Sequence, residues 1–270
     1  MSEKIFFFHN PKAGGASLRR ILESRFPAQK WSPLVENTKV EHDELGGDYA
    51  RFRGYDVYAG HYGYDIFAAV NDGHARITNF RHPATRLISL YNFFRFSVIL
   101  PDEELRTDRF YAVLFAKSVS FERFVSADDP RVDVYVRNWH FRQLSNSCWS
   151  LAITKKFDEV RRFIDAMRWF YICEYPELSV RWLGRSLNWD LDRLPRENVT
   201  GEKDGQTISL SALDERTYSM ICKKNDLDFA IYQYAVDRLL SHSHLPGGSS
   251  GWPAIFRSGA KNLGQFLRRG

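Results

Sequence analysis

The sequence predicts an α/β fold, a central, mostly parallel β-sheet flanked by helices. Three observations carry that expectation. Short apolar runs alternate with stretches of helical periodicity, a glycine-containing turn joins the first run to the first helix, and several runs end on a polar residue. Sheets of this kind bind ligands beyond the carboxyl ends of their strands.

Lys4 to Phe8 reads as a short buried strand, and beyond Asn10 to Gly15 a helix carries Leu18, Ile21, Leu22 and Phe26 at helical spacing. Tyr55 to Gly60 reads as a second strand ending at His61, and Ala75 to Phe80 as a third ending at Arg81. Pro83 suits a first helical turn, and Leu87, Ile88, Tyr91 and Phe94 form an apolar stripe on the helix it opens. Phe157 to Met167 reads as helix, Trp169 to Cys173 as strand and Pro176 to Leu187 as helix.

The main domain is expected to span residues 1–244, with residues 245–270 forming a linker and tail. Leu245 to Gly251 has linker composition, and Trp252 to Gly270 mixes Ile255, Phe256, Leu263, Phe266 and Leu267 with basic residues. Such a tail suits weak contact with an anionic membrane surface.

A chain of 270 residues that is 44% apolar and 26% charged argues against wholesale disorder. Lys and Arg outnumber Asp and Glu by 38 to 33, an excess spread along the chain that suits anionic ligands and predicts no nucleic-acid partner. The three cysteines, Cys148, Cys173 and Cys222, show neither metal-ligand nor disulfide spacing. The apolar run Ile5 to Phe8 is too short for a signal-peptide core, and no stretch approaches a membrane span. A soluble, cytoplasmic protein is expected.

The first loop carries the clearest chemistry. A glycine turn between a strand and a helix N-terminus leaves backbone N–H groups free and presents a partial positive charge, an arrangement that binds phosphate. Gly14 and Gly15 admit close approach of an anion, Ser17 adds a hydroxyl and Lys12 adds an ammonium. The run is not a GxxxxGK[ST] nucleoside-triphosphate loop, because Lys12 precedes the glycines. Magnesium-dependent phosphoryl transfer also needs a carboxylate at a neighbouring strand end, whereas the strands read here end in His61 and Arg81.

Phe8-His9-Asn10-Pro11-Lys12-Ala13-Gly14-Gly15-Ala16-Ser17-Leu18 resembles the 5′-phosphosulfate loop of sulfotransferases, commonly H-x-P-K-T-G-G-T-S, with Ala13 and Ala16 in place of two threonines. Arg81-His82-Pro83-Ala84-Thr85-Arg86-Leu87-Ile88-Ser89-Leu90-Tyr91 resembles the family's 3′-phosphate motif, R-D-P-x-x-R-x-x-S-x-Y, with His82 replacing the aspartate. The resemblance covers about the first hundred residues. Glu197 to Lys203 is loosely similar to a late loop that closes over the nucleotide.

By this resemblance the sheet is P-loop-like and the co-substrate is 3′-phosphoadenosine 5′-phosphosulfate, with no metal. Lys12 neutralises the leaving phosphate, Gly14, Gly15, Ala16, Ser17 and Leu18 surround the 5′-phosphate, Arg81 and Ser89 hold the 3′-phosphate, and Lys203 belongs to the closing loop.

Ala59-Gly60-His61-Tyr62-Gly63-Tyr64 resembles the G-H-x-x-[FY] segment of carbohydrate O-sulfotransferases of the heparan sulfate 2-O-sulfotransferase type, where the histidine is the base. An imidazole of ordinary pKa ~6.5 suits removal of a hydroxyl proton near neutrality. His9 and His42 are competing candidates for that role. The resemblance implies a saccharide or glycoconjugate acceptor, for which Tyr62, Tyr64, Trp139 and Trp149 offer stacking surfaces and Arg51, Arg53, Arg95, Arg137 and Arg142 offer cations. Two alternatives remain beside sulfuryl transfer: a nucleotide or metabolite kinase with an atypical loop, and a non-catalytic anion- or glycan-binding protein.

Overall fold

The computed structural model describes residues 3–189, 191 and 207–242. Four parallel strands, β1 (Ile5–Phe8), β2 (Val57–Gly60), β3 (Ala75–Phe80) and β4 (Trp169–Ile172), form one sheet in the order β2-β1-β3-β4. Phe8 pairs with Gly60 on one side and Thr78 on the other, and Phe80 pairs with Ile172. All the carboxyl ends therefore open to the same side, which is where a ligand site forms.

The run Ile5-Phe6-Phe7-Phe8 is apolar throughout because both faces of the sheet are covered. Phe6 and Phe8 pack with Phe67, Phe163 and Phe170 on one face, while Ile5 and Phe7 pack with Leu18, Ile21 and Trp169 on the other. The helix Gly15–Arg25 covers the second face through Leu18, Ile21 and Leu22, as its periodicity predicts.

The remaining boundaries fall close to expectation. The second strand begins at Val57, since the Asp56 amide donates to Lys30 instead of joining the sheet. The helix opened by Pro83 runs to Asn92, and the later helices span Phe157–Asp165 and Pro176–Leu187. A helical layer not read from the sequence lies between them: Tyr111–Ser118, Phe121–Ser126, Pro130–Val136 and Trp139–Ser145. Its apolar residues, among them Ala116, Phe124 and Val132, close over Leu87 and Tyr91 to make a second core.

No helix among the described residues is long and apolar enough to cross a membrane. The expected linker and tail, residues 245–270, and Lys203 with its loop lie outside the described residues.

Candidate active site

The loop after β1 is held in an unusual conformation. Lys12 has φ 64° and Gly14 has φ 80°, both left-handed. That region costs an L-residue roughly 1–2 kcal/mol, so Lys12 must be restrained by its surroundings. Three hydrogen bonds from the buried Asn79 side chain supply one restraint: its Nδ2 donates to the carbonyls of Asn10 (2.9 Å) and Ala13 (2.8 Å), and its Oδ1 accepts from the Asn10 amide (2.8 Å). Arg81 supplies another, donating from Nη1 to the Lys12 carbonyl at 2.9 Å.

The two glycines are required by their neighbours as well as by the turn. A Cβ on Gly14 would lie 2.9 Å from the Tyr171 ring, and one on Gly15 would lie 2.0 Å from the His9 ring. His9 therefore packs directly on the loop. Ala13 is fully buried beneath it. Gly14 caps the helix, and the amides at this end, Gly14 to Ala16, have no intrahelical acceptor. No acidic residue occupies the first turn, so the positive end of the helix is left for an anion.

Lys12, Gly14, Gly15, Ala16, His61, Arg81 and Ser89 line one cavity of about 1160 Å³. The structure thus gathers most of the residues assigned from the sequence to the nucleotide and the base. Ser17 and Leu18 are buried, and Leu18 belongs to the core under the sheet. Neither side chain lines the cavity, which limits Leu18 to a structural part.

Burial, reinforced by Arg81, pulls the Lys12 ammonium down to about 8, and its Nζ lies 4.1 Å from the centre of the Phe93 ring. Loss of hydration likewise pulls the His61 imidazole down to about 4, against smaller upward effects of the Asn37 backbone and Glu41. His61 is therefore neutral at physiological pH, and a weaker proton acceptor than an ordinary imidazole. Its ring lies 4.9 Å from that of His9 and 6.1 Å from that of Trp139. Gln143, fully buried, donates to the carbonyls of His9 (3.2 Å) and Tyr62 (3.0 Å) and so fixes the ends of β1 and β2 relative to each other.

His9 lines the same cavity, and burial together with the nearby His61 holds its pKa well below the ordinary value too. His42 does not line it: its Nε2 sits among Asp65 (3.1 Å), Tyr49 (2.9 Å) and Ser147 (3.2 Å), a network that joins three segments of the chain.

Two site residues escaped the sequence reading. Asn79 is one, hidden in a strand among apolar neighbours. The other is Glu174, two residues past β4, which lines the cavity and accepts from the His82 amide (3.0 Å), Thr85 (3.3 Å) and Tyr232 (3.1 Å). A carboxylate thus does stand at a strand end. It caps the helix Pro83–Asn92 from outside, next to His82, whose ring is buried edge-on to Phe229 (5.1 Å) and Tyr232 (5.6 Å). Arg86, the second arginine of that motif, is fully buried, donates to the Tyr135 carbonyl at 3.2 Å and does not line the cavity.

Of the side chains expected to bind a saccharide, Trp139 alone lines the cavity. Tyr62 and Trp149 are buried, and Tyr62 donates to the Leu34 carbonyl. Lys155 covers the Tyr64 ring. Arg95 and Arg142 are committed to backbone carbonyls, Arg53 donates to Ala69, Arg137 pairs with Asp133 at 2.7 Å, and Arg51 is exposed outside the site.

Compared with known proteins, the chain matches no protein-family model and no curated protein sequence. Fold and site together define an α/β protein with a four-stranded parallel sheet, whose strand ends enclose a cavity lined by a lysine, an arginine and a neutral histidine.

Proposed function

We propose that the protein is a sulfotransferase with a P-loop-like fold, moving a sulfuryl group from 3′-phosphoadenosine 5′-phosphosulfate to a hydroxyl. One observation carries this reading: Lys12 with the loop amides, Arg81 with Ser89, and His61 line a single cavity. Adjoining cationic groups from two strand ends suit a nucleotide phosphorylated at two positions, and a neutral imidazole lining the same cavity can take a hydroxyl proton.

In this scheme His61 takes the acceptor's proton as the hydroxyl oxygen bonds to sulfur. The bond between sulfur and the bridging oxygen of the 5′-phosphate breaks, and its electron pair leaves with that oxygen. Lys12 and the amides of Gly14 to Ala16 stabilise the charge gathering there. The products are the sulfated acceptor and adenosine 3′,5′-bisphosphate. Arg81, aided by Ser89, anchors the far phosphate through a charge-assisted hydrogen bond.

A kinase is the second reading, favoured by Glu174 at the end of β4. Its carboxylate already accepts from His82, Thr85 and Tyr232, an engagement that fits helix capping better than metal coordination. Calorimetry with adenosine 3′,5′-bisphosphate against ATP separates the two. Strong preference for the bisphosphate in EDTA is expected, and equal or tighter ATP binding that requires magnesium would establish the kinase.

A further inference from the structure

The cavity has a second half whose chemistry differs from the phosphate-binding half. Its walls include Leu90, Phe94, Val98, Phe110, Val113 and Tyr135. An aromatic wall runs into it from the base: His61 meets Trp139 edge-on at 6.1 Å, Trp139 stacks on Tyr135 at 5.6 Å, and Tyr135 meets Phe94 edge-on at 5.4 Å. All four of these residues border the cavity, Trp139 with no exposed surface of its own and Phe94 buried.

Sheet order gives this half its role. From one edge to the other, the strands bring His61, the phosphate loop, Arg81 and Glu174 to the cavity. A nucleotide spanning the loop and Arg81 leaves the His61 side for the acceptor. The volume of about 1160 Å³ exceeds the ~300–1,000 Å³ of ordinary single-ligand pockets.

We propose that the acceptor is an alcohol or phenol with an uncharged, apolar body; this rests on the sulfuryl-transfer reading. Recognition of an acidic saccharide needs unpaired Arg or Lys side chains. Apart from Lys12 and Arg81, Arg109 is the cation lining the cavity among the described residues, and it is ion-paired with Glu41. Phe93, one of the five exposed large hydrophobic residues described, also lines the cavity.

The test is binding of 2-naphthol and of an N-sulfated heparan-type tetrasaccharide to the full chain saturated with adenosine 3′,5′-bisphosphate, followed by calorimetry and tryptophan fluorescence. Naphthol is expected to bind at least about tenfold more tightly than the tetrasaccharide, and to yield naphthyl sulfate when 3′-phosphoadenosine 5′-phosphosulfate is supplied. Val98→Glu and Phe110→Glu, each at a partly exposed site, should weaken naphthol about tenfold without changing bisphosphate affinity. Tighter tetrasaccharide binding, or naphthol binding indifferent to both substitutions, overturns the proposal while leaving sulfuryl transfer in place. Failure of the bisphosphate to bind overturns the nucleotide reading instead, and the naphthol titrations on the unliganded chain and its two variants then still decide the character of this half.

Discussion

Arg81 donates a hydrogen bond of 2.9 Å to the backbone carbonyl of Lys12. The residue assigned to one phosphate in the proposed scheme is thereby a strut for the loop assigned to the other. Arg81→Ala should weaken adenosine 3′,5′-bisphosphate by roughly 10- to 100-fold, the range of a charged hydrogen bond. It should also lower turnover at saturating nucleotide, because Lys12 loses a restraint. Arg81→Lys keeps the charge but not the fork, so it should rescue binding only in part. Equal affinities for Arg81→Ala and wild type would remove Arg81 from phosphate recognition.

Burial holds the Lys12 ammonium at about 8, below its ordinary value. The free protein therefore carries this charge below pH 8 and loses it above. Bisphosphate affinity should fall as pH rises through about 8, and Lys12→Arg, charged throughout, should abolish that decline. Titrations between pH 6.5 and 9.5 measure it. A wild-type profile flat across this range would show that Lys12 does not contact the anion.

His61 stays neutral down to about pH 4. For a group acting as a base, kcat/KM should accordingly hold constant from neutrality to about pH 5 and fall only near 4, where an unperturbed imidazole begins to fail near 6.5. His61→Ala should cost ~10²–10⁴-fold in turnover with nearly unchanged bisphosphate affinity. Turnover near wild type in the folded variant would transfer the role to His9.

Asn79→Ala leaves two carbonyls and one amide of the phosphate loop without partners in a buried setting. Each such group costs about 1–3 kcal/mol. A fall in melting temperature together with weaker bisphosphate binding is expected, whereas Asn79→Asp should recover the contact to the Asn10 amide alone. Unchanged melting would show the loop to be self-supporting.

The framework was legible because its signals are local. Four apolar strands, the Pro83 helix start and the glycine turn each declare themselves within a few residues, and strand ends placed Lys12, His61 and Arg81 in one region before any contact was known. The layer from Tyr111 to Ser145 was not legible. Its helices are six to eight residues long, too short to show a clear apolar stripe, and they carry Tyr135 and Trp139 into the cavity. Side chains acting on distant backbone were equally hidden. Nothing beside Asn79 in the sequence announces that it holds Asn10 and Ala13, and Glu174 follows a strand with no motif to mark it. Arg95 and Arg142 looked available for an acidic ligand, yet carbonyls of their own surroundings claim both.

The pairing of β3 with β4 joins Ile77 to Trp169 across a long stretch of chain, and parallel contacts of such separation form slowly. The His82 amide meets Glu174 only after the fourth strand has left the ribosome and docked. Capping of the Pro83–Asn92 helix by Glu174 and completion of the sheet are therefore a single late event.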